Sequence, residues 1–183
     1  MKLLQTTLKR TTLLAGSLLL ADAFLSCTNI DCPLDSVVVM TINFYDTSAG
    51  APTPLACTLS IAAAGADTLL NAEPNVKSVQ LPVSIGAAVD TLYLIQTEGA
   101  TTLTDTLYIS HTNEPHFEAM DCPGAVFHHI TELSFVPHTD GMLSYTLDSV
   151  GIIRPLVDFN DVENIRIFYH HHPADTPMSS AGR

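Results

Sequence analysis

Eight histidines are the residues of this chain best suited to bind a metal ion, because neutral imidazole is the commonest metal ligand in proteins. His170, His171 and His172 end the last candidate strand, and His128 and His129 begin an earlier one. The other three lie near strand ends: His111, His116 and His138. Since consecutive side chains of a strand point to opposite faces, only His170 and His172 can share a face, and only one of His128 and His129 can join them. A zinc site usually needs three or four protein ligands, so we assign no metal ligand and keep metal binding through these histidines as an alternative function.

Cys27 follows directly after a segment with the features of a secretory signal. The segment has three basic residues near its start and an apolar stretch over 11–26, which is too short to span a bilayer as a helix. Leu25-Ser26-Cys27 resembles a bacterial lipobox, in which the cysteine is lipidated and becomes the first residue of the mature chain. We therefore predict a lipoprotein signal peptide over 1–26, lipidation of Cys27, and attachment to a membrane through that lipid.

A second cleavage site competes with the lipobox. Ala21-Asp22-Ala23 fits the A-x-A pattern of ordinary signal cleavage, which leaves Phe24 as the first residue. Under this alternative the protein is a soluble periplasmic protein, and Cys27 is half of a disulfide, with Cys57 as a possible partner.

Three further thiols remain if Cys27 carries lipid, so at most one disulfide forms among them. Cys32 and Cys122 share the context Asp-Cys-Pro and lie outside the clearest candidate strands. Cys57 instead begins an alternating run and is typical of a small core residue. We therefore predict a Cys32–Cys122 disulfide in an oxidising compartment.

Composition and motifs exclude several classes of function. Without residues 1–26 the chain keeps four basic and eighteen acidic residues, a formal net charge of −14, whereas nucleic acids are bound by clustered Lys and Arg. There is no G-x-S-x-G, no H-E-x-x-H and no glycine-rich phosphate loop. We expect neither catalytic residues nor a cofactor, and we predict that the protein is not an enzyme.

The dominant pattern in the sequence is a period-two alternation of apolar and polar residues. It indicates the strands that position the histidines and cysteines. It is clearest in VVVMTINFY, where Val38, Met40, Ile42 and Phe44 share a face. Similar runs occur at 58–61, 67–70, 78–83, 89–97, 105–111, 116–120, 129–136, 147–154 and 163–170. The pattern predicts an all-β fold, a single antiparallel β-sandwich, Ig-like or jelly-roll-like, of about eight to ten short strands. We place the sandwich at 37–170, a tether at 27–36 and a disordered tail at 171–183.

Local signals refine this arrangement. The triplet Asp-Thr-Leu begins at Asp67, Asp90 and Asp105, and we interpret each aspartate as a turn cap that starts a strand. Runs 90–97 and 105–111 are expected to form a hairpin joined through TEGATTLT. Asn113-Glu114-Pro115 is expected to be a turn.

Several sequence segments together resemble an uncharacterised family of Bacteroidota lipoproteins, which contains a domain of unknown function. The segments are CTNIDCP, INFYD, VKSVQLPV, DTLYLIQ, DTLYISH, HFEAMDCPG and NIRIFY. The likeness covers roughly residues 27 to 169 and departs from the family in having Cys57, and Cys-Pro at the late cysteine where Cys-Gly is expected. It implies export and a β-rich fold, and no known activity.

These observations together predict a membrane-anchored lipoprotein of the cell envelope, in the outer membrane, that acts as a non-catalytic binding or structural module. Its partners are expected to be the membrane, through the lipid on Cys27, and an unidentified envelope protein or glycan.

Overall fold

The computed structural model describes residues 37–65, 68–139 and 143–172, and every regular element in them is a β-strand. The ten strands are β1 Val39–Asp46, β2 Thr58–Ala63, β3 Thr68–Pro74, β4 Ser78–Pro82, β5 Val89–Glu98, β6 Thr101–His116, β7 Ala125–Val136, β8 Tyr145–Ile152, β9 Leu156–Val157 and β10 Glu163–His171. They form a four-stranded sheet, in the order β4-β1-β10-β8, and a six-stranded sheet, in the order β3-β2-β5-β6-β7-β9. The prediction of an all-β sandwich is therefore confirmed.

One pair of strands corrects the prediction that the sandwich is wholly antiparallel. β1 and β10 are parallel neighbours, with Ile42 opposite Ile165 and Phe44 opposite Ile167. Tight turns impose antiparallel pairing on strands that follow each other closely, but these two are the first and last strands. They meet only after the chain has crossed repeatedly between the two sheets, so no local signal sets their relative direction.

The core lies between the sheets and follows the predicted alternation. Met40, Ile42 and Phe44 point inward from β1, and Leu59 and Ile61 meet them from the opposite sheet, all of them almost fully buried. Each such side chain stabilises the fold by roughly 1.5–3 kcal/mol relative to leaving it exposed. Thr41 and Asn43, on the other face of β1, are only partly buried.

Two local predictions at the end of β6 are wrong. Asn113-Glu114-Pro115 lies within β6, paired with β7, and is not a turn. Proline is tolerated there because β5 pairs with β6 only as far as Ser110, which leaves one edge of β6 without a strand to bond. The predicted strand over 116–120 does not form, since β6 ends at His116 and a turn containing the exposed Met120 follows.

The hairpin between β5 and β6 is confirmed, but its connection is shorter than the predicted TEGATTLT. Glu98 pairs with Thr101, so that only Gly99 and Ala100 form the turn. Gly99 has φ +59°, which glycine adopts without steric cost and which a two-residue turn requires at its first position.

Asp105 corrects the interpretation of the Asp-Thr-Leu triplet. It lies within β6 and is fully buried, so it does not cap a turn, whereas Asp90 does lie at the start of β5. Thr106 and Leu107 take opposite faces as expected, with Leu107 in the core.

Several predictions concern residues outside the described ranges. These are the signal peptide 1–26, the tether 27–36 with Cys27 and Cys32, Asp67, and the tail from 173 onward. β10 extends to His171, one residue beyond the predicted sandwich. No helix within the described ranges is long and apolar enough to cross a membrane.

Candidate functional site: a buried histidine pair beside an apolar groove

The part of β6 that extends beyond β5 places two polar side chains toward the interior. His111 and Asn113 are two residues apart, so they share a face of the strand, and His111 is almost fully buried. β7 brings His128 directly opposite Asn113 in the ladder. The connection between β4 and β5, residues 83–88, passes over the same place.

Asn113 joins these three elements through its side-chain amide. Its Nδ2 donates to the backbone oxygens of Ser84 and Ile85, at 3.2 and 2.8 Å. Its Oδ1 lies 2.9 Å from His111 Nδ1 and 2.7 Å from His128 Nδ1. One asparagine therefore connects β6, β7 and the β4–β5 connection.

Asp90 extends this network to β5. Its Oδ2 accepts from the backbone N–H of Ser84 at 3.0 Å and lies 3.3 Å from His111 Nε2. The His111 and His128 rings meet edge to face, with centroids 5.6 Å apart. Two buried histidines are thus brought together with one carboxylate and one amide that are partly buried.

His128 also lines a groove at this end of the sandwich. The groove has a volume of about 290 Å³, and all its other lining residues are apolar or glycine: Val37, Val38, Pro82, Val83, Ile85, Gly124, Ala125 and Val126. Burial lowers the pKa of His128, the charge of His111 lowers it further, and Asp90 opposes this effect. His128 is therefore a neutral polar group in an apolar wall.

The rim of the groove is apolar and exposed. Val37 and Ile85, which both line the groove, are more than 60 % exposed. The exposed Phe117 packs on Gly124, where an added Cβ would lie 2.7 Å from the Phe117 ring. Such a surface is typical of a place where another apolar group binds.

The histidines at the end of β10 are arranged as the strand geometry predicts. His170 and His172 do share a face, with ring centroids 4.8 Å apart. His128 does not join them, because it lies in the other sheet, beside the start of β1 rather than the end of β10. His129 is exposed. Within residues 37–65, 68–139 and 143–172, no group of three or more His, Cys, Asp and Glu side chains is arranged to hold a metal ion.

A second buried polar cluster lies at the opposite end of the sandwich, around Asp105. Its carboxylate accepts from Gln96 Nε2 at 2.7 Å and from the backbone N–H of His138 at 2.7 Å, and lies 2.8 Å from His138 Nδ1. Cys57 lies 3.9 Å from Gln96 Oε1. Burial, followed by the charge of Glu98, raises the pKa of the Cys57 thiol to about 11, so Cys57 is not a nucleophile at neutral pH.

The structure confirms the prediction that Cys57 is a core residue, but it does not test the predicted Cys32–Cys122 disulfide. Cys57 is a buried free thiol in the core cluster, as predicted, which excludes a Cys27–Cys57 disulfide. Cys122 is buried in the connection between β6 and β7, two residues before Gly124 of the groove. Cys32 lies outside the described residues, so the Cys32–Cys122 disulfide is not tested.

Asn113 and Asp90 were not recognised as site residues from the sequence. The spacing His111-x-Asn113 places both side chains on one strand face, which is a signal for a shared polar cluster. The sequence does not reveal this cluster, because Asn-Glu-Pro indicates a turn. In addition, the pairing of Asn113 with His128 depends on a bulge between Ser110 and His111.

Comparison with known proteins places the chain in a family. A family model described as "Family of unknown function (DUF6452)" matches residues 58–169, which is more than half of the chain. The chain belongs to DUF6452. The match runs from β2 into β10 and includes the whole His111–Asn113–His128–Asp90 cluster of this DUF6452 protein. No curated protein and no solved structure matches it.

Proposed function

We propose that this DUF6452 protein is a membrane-anchored lipoprotein of the cell envelope that acts as a non-catalytic binding module. The groove beside His128 is the observation that carries the proposal, because it offers apolar surface with one neutral hydrogen-bonding group and no arrangement suited to bond cleavage. The signal segment and the lipobox at Cys27 support the anchor. The sequence likeness to Bacteroidota lipoproteins supports the same location, in the outer membrane.

The position of the groove relative to the anchor supports its use in binding. Val37, which lines the groove, is the first described residue and follows the lipidated Cys27 by ten residues. Ten residues of fully extended chain span at most about 35 Å. The groove thus stays close to the membrane, where the partner is an apolar segment of another envelope protein.

Metabolic labelling with a palmitate analogue tests the anchor. The native chain incorporates the label and remains with the membrane fraction, whereas Cys27→Ala loses the label while export persists. Cys57→Ala is the matched control and keeps the label. An unlabelled native chain that begins at Phe24 and washes out of the envelope contradicts the anchor and favours the soluble alternative.

Site-specific photo-crosslinking in intact cells tests the groove. A photoreactive side chain at Val37 is expected to form an adduct with a specific envelope protein, and Ile85→Asp is expected to abolish that adduct. Ile153→Asp is the matched control, because Ile153 is also exposed but lies outside the groove. An adduct that persists in Ile85→Asp, or its absence in all variants, contradicts groove-mediated binding.

A further inference from the structure

The hydrogen bonds of Asn113 determine where the protons of both histidines lie. Its Nδ2 donates to two carbonyl oxygens, Ser84 O and Ile85 O, so the amide cannot be reversed without placing its oxygen against them. Oδ1 must therefore accept from both rings, which places a proton on His111 Nδ1 and on His128 Nδ1. A second proton on His128 can be added only at Nε2.

A second proton on His128 creates a cation in a buried and largely apolar environment, which disfavours charge. The residue is about 2 % exposed and its groove neighbours Ala125 and Val126 are apolar. The titratable groups that act on it are His111 from β6 and Asp90 from β5. β9 faces it with Val157, and the β4–β5 connection contains no charged residue. Since buried charge is strongly disfavoured, the ring is expected to leave this position when it is protonated.

We propose that His128 and Asn113 form an acid-sensitive latch that holds the β4–β5 connection closed beside the groove. Protonation at Nε2 leaves the Nδ1–H bond to Asn113 in place, so this contact breaks only when the charged ring moves out of its buried position. Asn113 then keeps His111 as its one remaining ring partner, and its hold on the Ser84 and Ile85 carbonyl groups is weakened. Ile85 is part of the groove, so opening of the latch removes one wall of the binding site. Its effect on binding rests on the proposed function, but the latch itself does not.

The direction of the pH effect follows from the lowered pKa of folded His128. Between that pKa and the ordinary histidine value of about 6.5, an open state binds more protons than the closed state. The closed state therefore keeps its full stability above about pH 6.5 and loses stability as the pH falls through the folded pKa.

Amide hydrogen exchange of the mature protein tests the latch without any partner. After correction for the intrinsic pH dependence of exchange, opening of residues 84–88 is expected to increase as the pH falls from about 7.5 to about 5. Exchange in β2 and β10 is expected to change much less. His128→Asn retains a donor for Asn113 and cannot titrate, so its β4–β5 connection should stay equally closed at both pH values.

Two comparisons keep the test decisive. His129→Asn changes the exposed neighbour of His128 and should retain the full pH response. An NMR titration of the native protein should give His128 a pKa below 6.5, which does not depend on whether His128→Asn folds. An unshifted or raised pKa, or a 84–88 segment whose corrected exchange is insensitive to pH, overturns the latch. If the photo-crosslink at Val37 is absent at all pH values while residues 84–88 still show pH-dependent exchange, the result contradicts the proposed binding function but not the latch.

Discussion

Asn113 lies directly opposite His128 in the β6–β7 ladder, and its Oδ1 lies 2.7 Å from His128 Nδ1. Asparagine is depleted in strands, but here its amide satisfies groups on both sides, two imidazoles through Oδ1 and two carbonyls through Nδ2. The side chain therefore adds contacts to the part of β6 beyond Ser110, where β5 no longer pairs with it. It fixes the β4–β5 connection to the sheet.

Asn113→Leu is expected to lower the free energy of unfolding by about 1–3 kcal/mol, because it leaves the buried Nδ1–H donors of His111 and His128 without partners. Urea denaturation at neutral pH measures the change. Asn71→Leu, at an exposed position of the edge strand β3, should change stability by no more than about 0.5 kcal/mol. Equal effects of the two substitutions would show that the amide network contributes nothing specific.

Much of the fold could be predicted because most of these strands bury one face. Where a strand has a buried and an exposed face, alternation determines which side chains reach the core, as at Met40, Ile42 and Phe44. Cys57 was placed in the core on the same basis, since it begins the alternating run of β2. These predictions needed only local sequence.

The candidate site could not be predicted because it depends on distant pairing. Asn113-Glu114-Pro115 has turn composition, yet it remains in β6. Proline has no backbone N–H to donate, and it is tolerated here because no strand pairs with β6 on its β5 side beyond Ser110. Asp105 begins a triplet that indicates a turn cap, but the preceding turn is complete at Ala100. The meeting of His111 with His128 requires the register of β6 against β7, including its bulge, which no local pattern contains.

Cys57 is expected to resist alkylation in the folded protein. With its pKa raised to about 11, only about one thiol in a thousand is ionised at about pH 8, and the side chain is 5 % exposed. Iodoacetamide labelling followed by peptide mass analysis should modify Cys57 rapidly in concentrated urea and very slowly without it. Rapid labelling of the folded protein would contradict both the burial and the protonated state of the thiol.

Cys32 and Cys122 are expected to be joined in the exported protein, because the described thiol Cys57 is free and Cys27 is predicted to carry lipid. Mass mapping of unreduced peptides should find the Cys32–Cys122 link. Cys122→Ser should lower the free energy of unfolding by roughly 3–5 kcal/mol in the chain-entropy account of so long a loop. Recovery of Cys122 linked to Cys27 instead would overturn both the pairing and the lipidated N-terminus.

Asp158 is expected to make stability depend on acid through its pair with Arg154. The guanidinium donates two bonds to the carboxylate, at 2.8 and 2.6 Å, on the segment that carries β9. The hydrogen bond from Arg154 holds the pKa of Asp158 well below 3.8, so the unfolded chain binds the proton more readily. The stabilisation is therefore full above about pH 4 and is lost as the pH falls through the folded pKa.

Asp158→Asn is expected to lower the free energy of unfolding by about 1–2 kcal/mol at pH 7, since both partners are only partly shielded from solvent. Chemical denaturation from about pH 7 to pH 2 should show that the difference between native and variant narrows below about pH 4. Glu73→Gln removes an exposed carboxylate of β3 and should run parallel to the native curve. A constant difference across the whole range would mean that the substitution acts through packing around β9 and not through the charge of Asp158.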